Sequence, residues 1–342
     1  MEHIAIDLGG KESQICVRGA DGTILDERRC ATTDLGSYLA QRPASRVIVE
    51  TCAEAFRVAD VARSVGHEPR VVPATLVRAL GVGARRTKYD RRDARVLSEV
   101  STRVEVPSVH IPTEVSRARK SMCATRESLV RARTQIGNSV HGWLRMQGIR
   151  LPAGNIVNFP KRVRTHAPRR PAHVERLLEI LDELHERICA ANTELRRLAK
   201  HDPVCRRLMT APGVGSTTAI RFVATLDDVT RFPDAHQVAS YLGLVPGERS
   251  SGAVQRRTGI TKAGSPALRH CLVQAAWATK RMRVQGPLQQ WGARLARRHG
   301  KQVAAVAVAR KLSGILYAMW RDGTTYEPGH AAKAPTVSSP RT

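Results

Sequence analysis

Apolar and polar positions alternate with a period of two through the first thirty residues, then give way to helical spacing, and this change predicts most of the first domain. Residues 3–9 read as a strand entering the Gly9-Gly10 turn. Residues 12–17 read as a second strand, and Asp21-Gly22 makes a hairpin turn into a third over residues 23–28. Helical spacing follows over 34–42, an apolar strand over 46–50 ending on Glu50, a helix over 55–64, a strand over 70–73 and a helix over 74–80. Three antiparallel strands followed by alternating helices and strands predict an α/β fold with a mixed sheet of ribonuclease H type.

Beyond residue 112 the pattern is helical. A long helix is expected over 116–148, with Met122, Leu129, Ile136 and Trp143 recurring every seven residues and Ala132 and Val140 between them. Residues 152–171 carry Pro, Arg and Asn without a clear period and read as a basic linker. A second long helix, 172–201, repeats Leu177, Leu181, Leu184, Ile188, Ala191, Leu195 and Leu198 at alternating spacings of four and three, a coiled-coil seam. Residues 208–226, with Pro212-Gly213-Val214-Gly215 near their start, resemble a helix-hairpin-helix element. Helices are expected from Ser265-Pro266 through Met282, over 286–299 and over 301–320. The domains implied are 1–112, 113–205, 206–327 and a disordered tail, 328–342. The most apolar late segment, 303–320, is interrupted by Arg310 and Lys311 and reads as a buried helix rather than a membrane span.

Charge narrows the function. The 342 residues include 56 Lys and Arg against 30 Asp and Glu, a net +26 with a pI near 11.0. Such an excess calls for a polyanion, and nucleic acid is the obvious partner. Only 4% of residues are aromatic, so phosphate contacts should outweigh base stacking. The excess is uneven: residues 1–112 are nearly balanced, with 17 basic and 15 acidic side chains, whereas 113–170 carry 13 and 2, and 206–342 carry 21 and 6. Seven scattered cysteines without a C-x-x-C pair suggest a reducing compartment, and the strand-like start leaves no room for a signal peptide, so a cytoplasmic protein is expected.

The carboxylates at the front supply candidate chemistry. Asp90 and Asp93, three apart on an expected helix, would share a face. Asp7 ends the first strand and Glu50 the fourth, two strands that neighbour each other in a sheet of this type. Four hard oxygen donors suit Mg²⁺ or Mn²⁺, and a pair of such ions clamps the attacking and leaving oxygens of a phosphodiester. The plainer reading is a turn at Asp7, a cap at Glu50 and a surface ion-pair helix at Asp90. Lys88, Arg91 and Arg92 surround Asp90. Further nucleic-acid candidates are Arg126 and Arg133 on the long helix, the Gly213 and Gly215 amides at a helix start, and Arg249, Arg256, Arg257 and Lys262. Among the last group lie Ser250 and Ser251, either nucleophiles or residues of a polar hairpin turn. The four-residue spacings His185/Cys189 and His201/Cys205 lack two further ligands for zinc and read as structural.

Taken together, the Ile4-Ala5-Ile6-Asp7 opening, Glu50, the block from Lys88 through Asp90 and Asp93 to Ala94, and the paired blocks Gly243-Leu-Val-Pro246 and Gly259-Ile-Thr-Lys262-x-Gly264 resemble the RuvC-like DEDD transposases of the insertion-sequence one-ten family. The resemblance spans about 320 residues. It implies a RuvC-like domain in which Asp7, Glu50, Asp90 and Asp93 hold Mg²⁺, a coiled coil, and a C-terminal transposase domain. Ser251 then matches a nucleophilic serine that forms a protein-DNA ester, with Ser250 as the alternative register. It further implies a structured guide RNA and a homo-oligomer, dimer or tetramer, acting on DNA. Three other classes stand against it: a RuvC-type nuclease that activates water, a sugar-kinase-like ATPase with Asp7-Leu-Gly-Gly as phosphate loop, and a non-catalytic nucleic-acid scaffold.

Overall fold

The computed structural model describes residues 1–79, 90–251, 254–282 and 286–328, without the side chains of 78, 79, 90, 249–251 and 254–257. Lys88 and the tail from 329 onward lie outside the described residues. The chain forms two compact units, Met1–Pro112 and Thr113–Thr342.

In the first unit, β1 (His3–Asp7), β2 (Glu12–Arg18) and β3 (Ile24–Ala31) precede α1 (Leu35–Ala40). There follow β4 (Arg46–Glu50), α2 (Ala55–Ser64), β5 (Glu68–Val72), α3 (Ala74–Ala79) and α4 (Asp90–Arg103). The sheet order is β3-β2-β1-β4-β5, with β1 antiparallel to β2, β2 antiparallel to β3, and β1, β4 and β5 parallel. This is the mixed α/β sheet of a RuvC-like fold. Strand alternation divides β1 between two cores. Ile4 and Ile6 pack with Leu35, Leu39 and Val58 of α1 and α2, while Ala5 joins Ile48, Val72, Val77 and Leu97 beneath α3 and α4.

The second unit is mainly helical. It begins with α5 (Glu114–Met146), capped by the Thr113 hydroxyl accepting from Ser116 N. Then come α6 (Phe159–His166), α7 (Ala172–His201), α8 (Pro203–Leu208), α9 (Ser216–Leu226) and α10 (Ala235–Tyr241). The strands β6 (Pro246–Ser251) and β7 (Val254–Ile260) form a hairpin, followed by α11 (Pro266–Lys280), α12 (Pro287–His299) and α13 (Lys301–Arg321). From Thr218 to Leu226 every residue of α9 is buried, which makes it the axis around which α5, α7, α8, α11 and α13 pack. Helix α13 is long and apolar enough to cross a membrane by composition alone. Its Val308, Leu312, Leu316 and Tyr317 nevertheless lie in this core, and the Tyr317 hydroxyl donates to Phe232 O at 2.6 Å.

The coiled coil is an antiparallel pair: Arg119 of α5 bonds Asp202 just beyond α7, Arg126 bonds Asn192, and Val140 and Leu144 pack on Val174 and Leu178. Its buried seam differs from the expected one. Val174, Leu178, Leu181, Ile188, Leu195 and Ala199 are buried, whereas Leu177, Leu184 and Leu198 are only partly so. Both series share 181, 188 and 195, and the axis of the partner helix selected the other set of flanking positions. The expected linker also proves partly structured, because Phe159 and Val163, one turn apart on α6, are buried against α5 and α7, with Phe159 stacked near His141.

Candidate active site

Register brings the first two acids together. Parallel pairing sets Ala5 beside Ile48 and Ile6 beside Val49, so Asp7 and Glu50 are the next pair along adjacent strands, about 5 Å apart in backbone. Two residues after Ala5 and Ile48 respectively, both belong to the sheet face that carries α4.

Helix α4 runs antiparallel to β1 across that face. His3 Nδ1 and Ser101 Oγ are 2.7 Å apart at one end, and Ala5 and Leu97 share the core at the middle. Two strand residues advance about 6.6 Å and one helical turn about 5.4 Å. Continuing the ladder from His3/Ser101 through Ala5/Leu97 leads to Asp7 and Asp93, and Asp93 is only 7% exposed. Asp90 opens the same helix one turn earlier; its side chain is not among those described. The oxygen donors fit a hard divalent ion in kind. Among the described residues no three of Asp, Glu, His and Cys stand close enough to form a finished metal cage.

A second carboxylate, unforeseen from sequence, holds α4 down. Glu27 on β3 accepts from Arg91 Nε at 2.8 Å and from Arg95 Nη2 at 2.7 Å. These bonds lower its pKa to about 2. Arg91, expected at a nucleic-acid surface, is therefore engaged within the domain, while Arg92 is exposed. The i, i+4 spacing of Arg91 and Arg95 was visible in the sequence, but a partner 64 residues away was not.

In the second unit, Ser250 and Ser251 close β6, paired with Gln255 and Val254, so the serines stand at the tip of a polar hairpin. Arg249 lies opposite Arg256, and Glu248 opposite Arg257. The glycines of the paired blocks have a packing role. A Cβ on Gly243 (φ +66°) would lie 2.2 Å from Ala263 O, and one on Gly264 (φ +69°) 2.0 Å from Tyr241 O, so the two blocks are pressed together at the base of the hairpin. Lys262, exposed, takes φ +57° in that same tight connection.

The Pro-Gly-x-Gly turn splits in its roles. Gly213 (φ +77°) abuts Ala275 O of α11, where a Cβ would come within 2.3 Å, whereas Gly215 is exposed at the N-cap of α9 with open space around it. Arg126 is bound to Asn192 at 2.8 Å, and the half-buried Arg133 has a buried Nε without a partner. His185 Nε2 lies 3.5 Å from Cys189 Sγ, and no third ligand joins them among the described residues. Cys205 is buried in the core, which pushes its thiol up to about 12, while His201 is exposed.

A mixed five-stranded sheet with Asp7 and Glu50 at the ends of β1 and β4 is of the ribonuclease H-like class, and the +26 charge of the chain suits a nucleic-acid partner. Residues 4–147 match a family model described as a transposase, of the DEDD type found in IS110 elements. Residues 205–290 match the transposase IS116/IS110/IS902 family. The chain is 30% identical over 331 residues to the transposase for insertion sequence element IS1328 of Yersinia enterocolitica, covering 94% of this chain and 98% of that one. It is 29% identical over 339 residues to a probable family 20 transposase of Pseudomonas aeruginosa, covering 96% and 99%. It is also 27% identical over 336 residues to the transposase for IS1111A of Coxiella burnetii, covering 95% and 91%. The chain belongs to the IS110 family of DEDD transposases, and DNA is its partner.

Proposed function

We propose that this transposase cuts and rejoins DNA strands with Asp7, Glu50, Asp90 and Asp93 as its acidic set and Ser251 as its nucleophile. What supports the reading is the pairing of His3 with Ser101 and of Ala5 with Leu97, which, continued along β1 and α4, runs towards Asp7 and Asp93 on the face that Glu50 shares. These four would hold Mg²⁺, with Mn²⁺ as a substitute; bound there, the ion supplies Lewis-acid stabilisation of charge on the phosphoryl oxygens. The Ser251 oxygen attacks phosphorus, one bridging ester oxygen leaves carrying a proton, and the resulting serine phosphodiester keeps the bond energy for rejoining. The paired glycine blocks support this role by fixing the base of the hairpin that ends in Ser251.

Arg92, Arg249, Arg256, Arg257 and Lys262, with Lys88 and the Gly215 amide, are assigned to phosphate contacts, and the basic face of α5 to a structured guide RNA. The enzyme acts as a homo-oligomer on paired DNA sites, in the cytoplasm at the nucleoid. The deciding experiment incubates the protein with end-labelled element DNA and traps a detergent-resistant protein-DNA adduct. Ser251→Ala should lose the adduct and keep binding, whereas Ser250→Ala should retain both. Loss only in Ser250→Ala moves the nucleophile by one residue, and an adduct in both variants and in the double variant refutes the serine.

A further inference from the structure

Two hollows open side by side along α13. One, of about 420 Å³, lies between α13 and the base of the β6–β7 hairpin, walled by Leu244, Pro246, Ile260, Val303 and Val306. The other, of about 500 Å³, lies between α13, α10 and α12, with His236, Trp291 and Lys311 on its walls. They share Ala307 and Arg310, so they form one groove with a guanidinium at its waist. Arg310 and Lys311, consecutive on a helix, diverge by about 100°. Lys311 reaches into the second hollow, where its ammonium lies 4.7 Å from the centre of the Trp291 ring.

The acid next in sequence to the groove lining, Asp234 at the start of α10, accepts from Gln237 N and forms no ion pair with Arg310 or Lys311. From Arg249 to Arg321 the chain has fifteen Lys and Arg and no Asp or Glu, and the hairpin's single acid, Glu248, stands opposite Arg257. No described carboxylate forms an ion pair with Arg310 or Lys311. An aliphatic hollow beside an unneutralised guanidinium suits neither a bare anion, which gains nothing from Val303 and Val306, nor an intact duplex, whose bases are stacked inside. It suits an unpaired nucleotide, with the base against aliphatic side chains and phosphates on Arg310 and Lys311.

We propose that this groove holds an unpaired stretch of the DNA strand that the β6–β7 hairpin works on. Single-stranded DNA lies along α13, one base seated between Ile260 and Val306 and its backbone crossing Arg310 towards Trp291. The choice of DNA over RNA rests on the proposed role of the hairpin in strand cleavage, because the groove begins at its base.

The test measures fluorescence anisotropy of a short labelled DNA strand, the matching duplex, and an RNA strand of the same sequence, using full-length protein carrying Ser251→Ala so that no strand is cut. Into this background go Arg310→Gln, Lys311→Gln and Val303→Glu; Val303 is 58% exposed, so its replacement leaves the core untouched. Each should weaken the single DNA strand roughly tenfold while duplex and RNA affinities change less than about twofold. Unchanged single-strand affinity, equal loss for the duplex, or a loss confined to RNA would each overturn the assignment. Adduct formation by the same groove variants with Ser251 restored separates the two ideas. A protein that loses its adduct through Ser251→Ala yet binds single strands regardless of Arg310 defeats the groove alone. Groove-dependent strand binding in a protein whose adduct survives Ser251→Ala defeats the serine alone.

Discussion

Arg91 of α4 and Glu27 of β3 are joined at 2.8 Å, and Arg95, one turn further along the helix, binds the same carboxylate. The pair fixes the end of α4 that carries Asp90 and Asp93, so the position of two candidate metal ligands depends on an acid on another strand. Because Glu27 titrates near 2 when folded and near the ordinary glutamate value when unfolded, its contribution is present above about pH 4.5 and is lost as the pH falls through about 2. Thermal melting should show Glu27→Gln unfolding a few degrees below the parent at pH 7, roughly, with the gap closing as the pH falls from 4.5 to 2. An equal gap at every pH would show that Glu27 acts by packing alone.

The acids themselves should behave in the opposite way. Under the proposed metal set, Asp7→Asn, Glu50→Gln and Asp90→Asn would each remove a ligand for the cation and one negative charge from the set. Strand transfer should fall by more than about 100-fold at every Mg²⁺ concentration while the melting temperature holds or rises. Retained strand transfer in Asp90→Asn would remove that residue from the metal set.

The ion pair between Arg221 on α9 and Glu127 on α5, 2.9 Å, sits where two core helices cross, and Arg221 also donates to Cys123 O at 2.9 Å. Glu127→Gln leaves a guanidinium that is only 8% exposed without its countercharge. Glu127 itself is partly exposed, so the loss should fall at the low end of the range for broken buried pairs, about 3 kcal/mol in urea unfolding.

The two glycines of the Pro-Gly-x-Gly turn should separate cleanly. Gly213→Ala forces a side chain into the left-handed region and against Ala275 O, and should destabilise by about 2–4 kcal/mol. Gly215→Ala meets open space and should leave stability within about 0.5 kcal/mol of the parent. Any effect on DNA affinity from the second variant, measured at matched stability, reports contact at the α9 N-terminus.

With a net charge of +26 and its excess in 113–170 and 206–342, DNA affinity should fall steeply with salt. A site covering six or more phosphates predicts a loss of about 10³ between 50 and 200 mM. A shallow slope would place most of the cations away from the DNA.

The order of strands and helices in the first domain, the acids at strand ends and the paired glycine blocks were legible because each is written in local spacing: alternation for β1 and β2, Asp21-Gly22 for the hairpin, heptads for α5 and α7. The seam of the coiled coil was legible only to within one flanking position. Leu177 and Leu178 are adjacent and both apolar, and the choice between them belongs to the partner helix.

What the sequence by itself determined, then, was which segments become strands or helices and which residues carry oxygen, charge and hydroxyl, since those follow from chain-local sterics and polarity. Only the tertiary structure decided that α4 lies on the β1 face with Leu97 beside Ala5, that Glu27 binds α4, that Gly213 serves packing, and that Arg310 stands between two hollows. Each of those depends on the direction in which one element crosses another. That direction is set by the fit of whole faces rather than by any single stretch of chain.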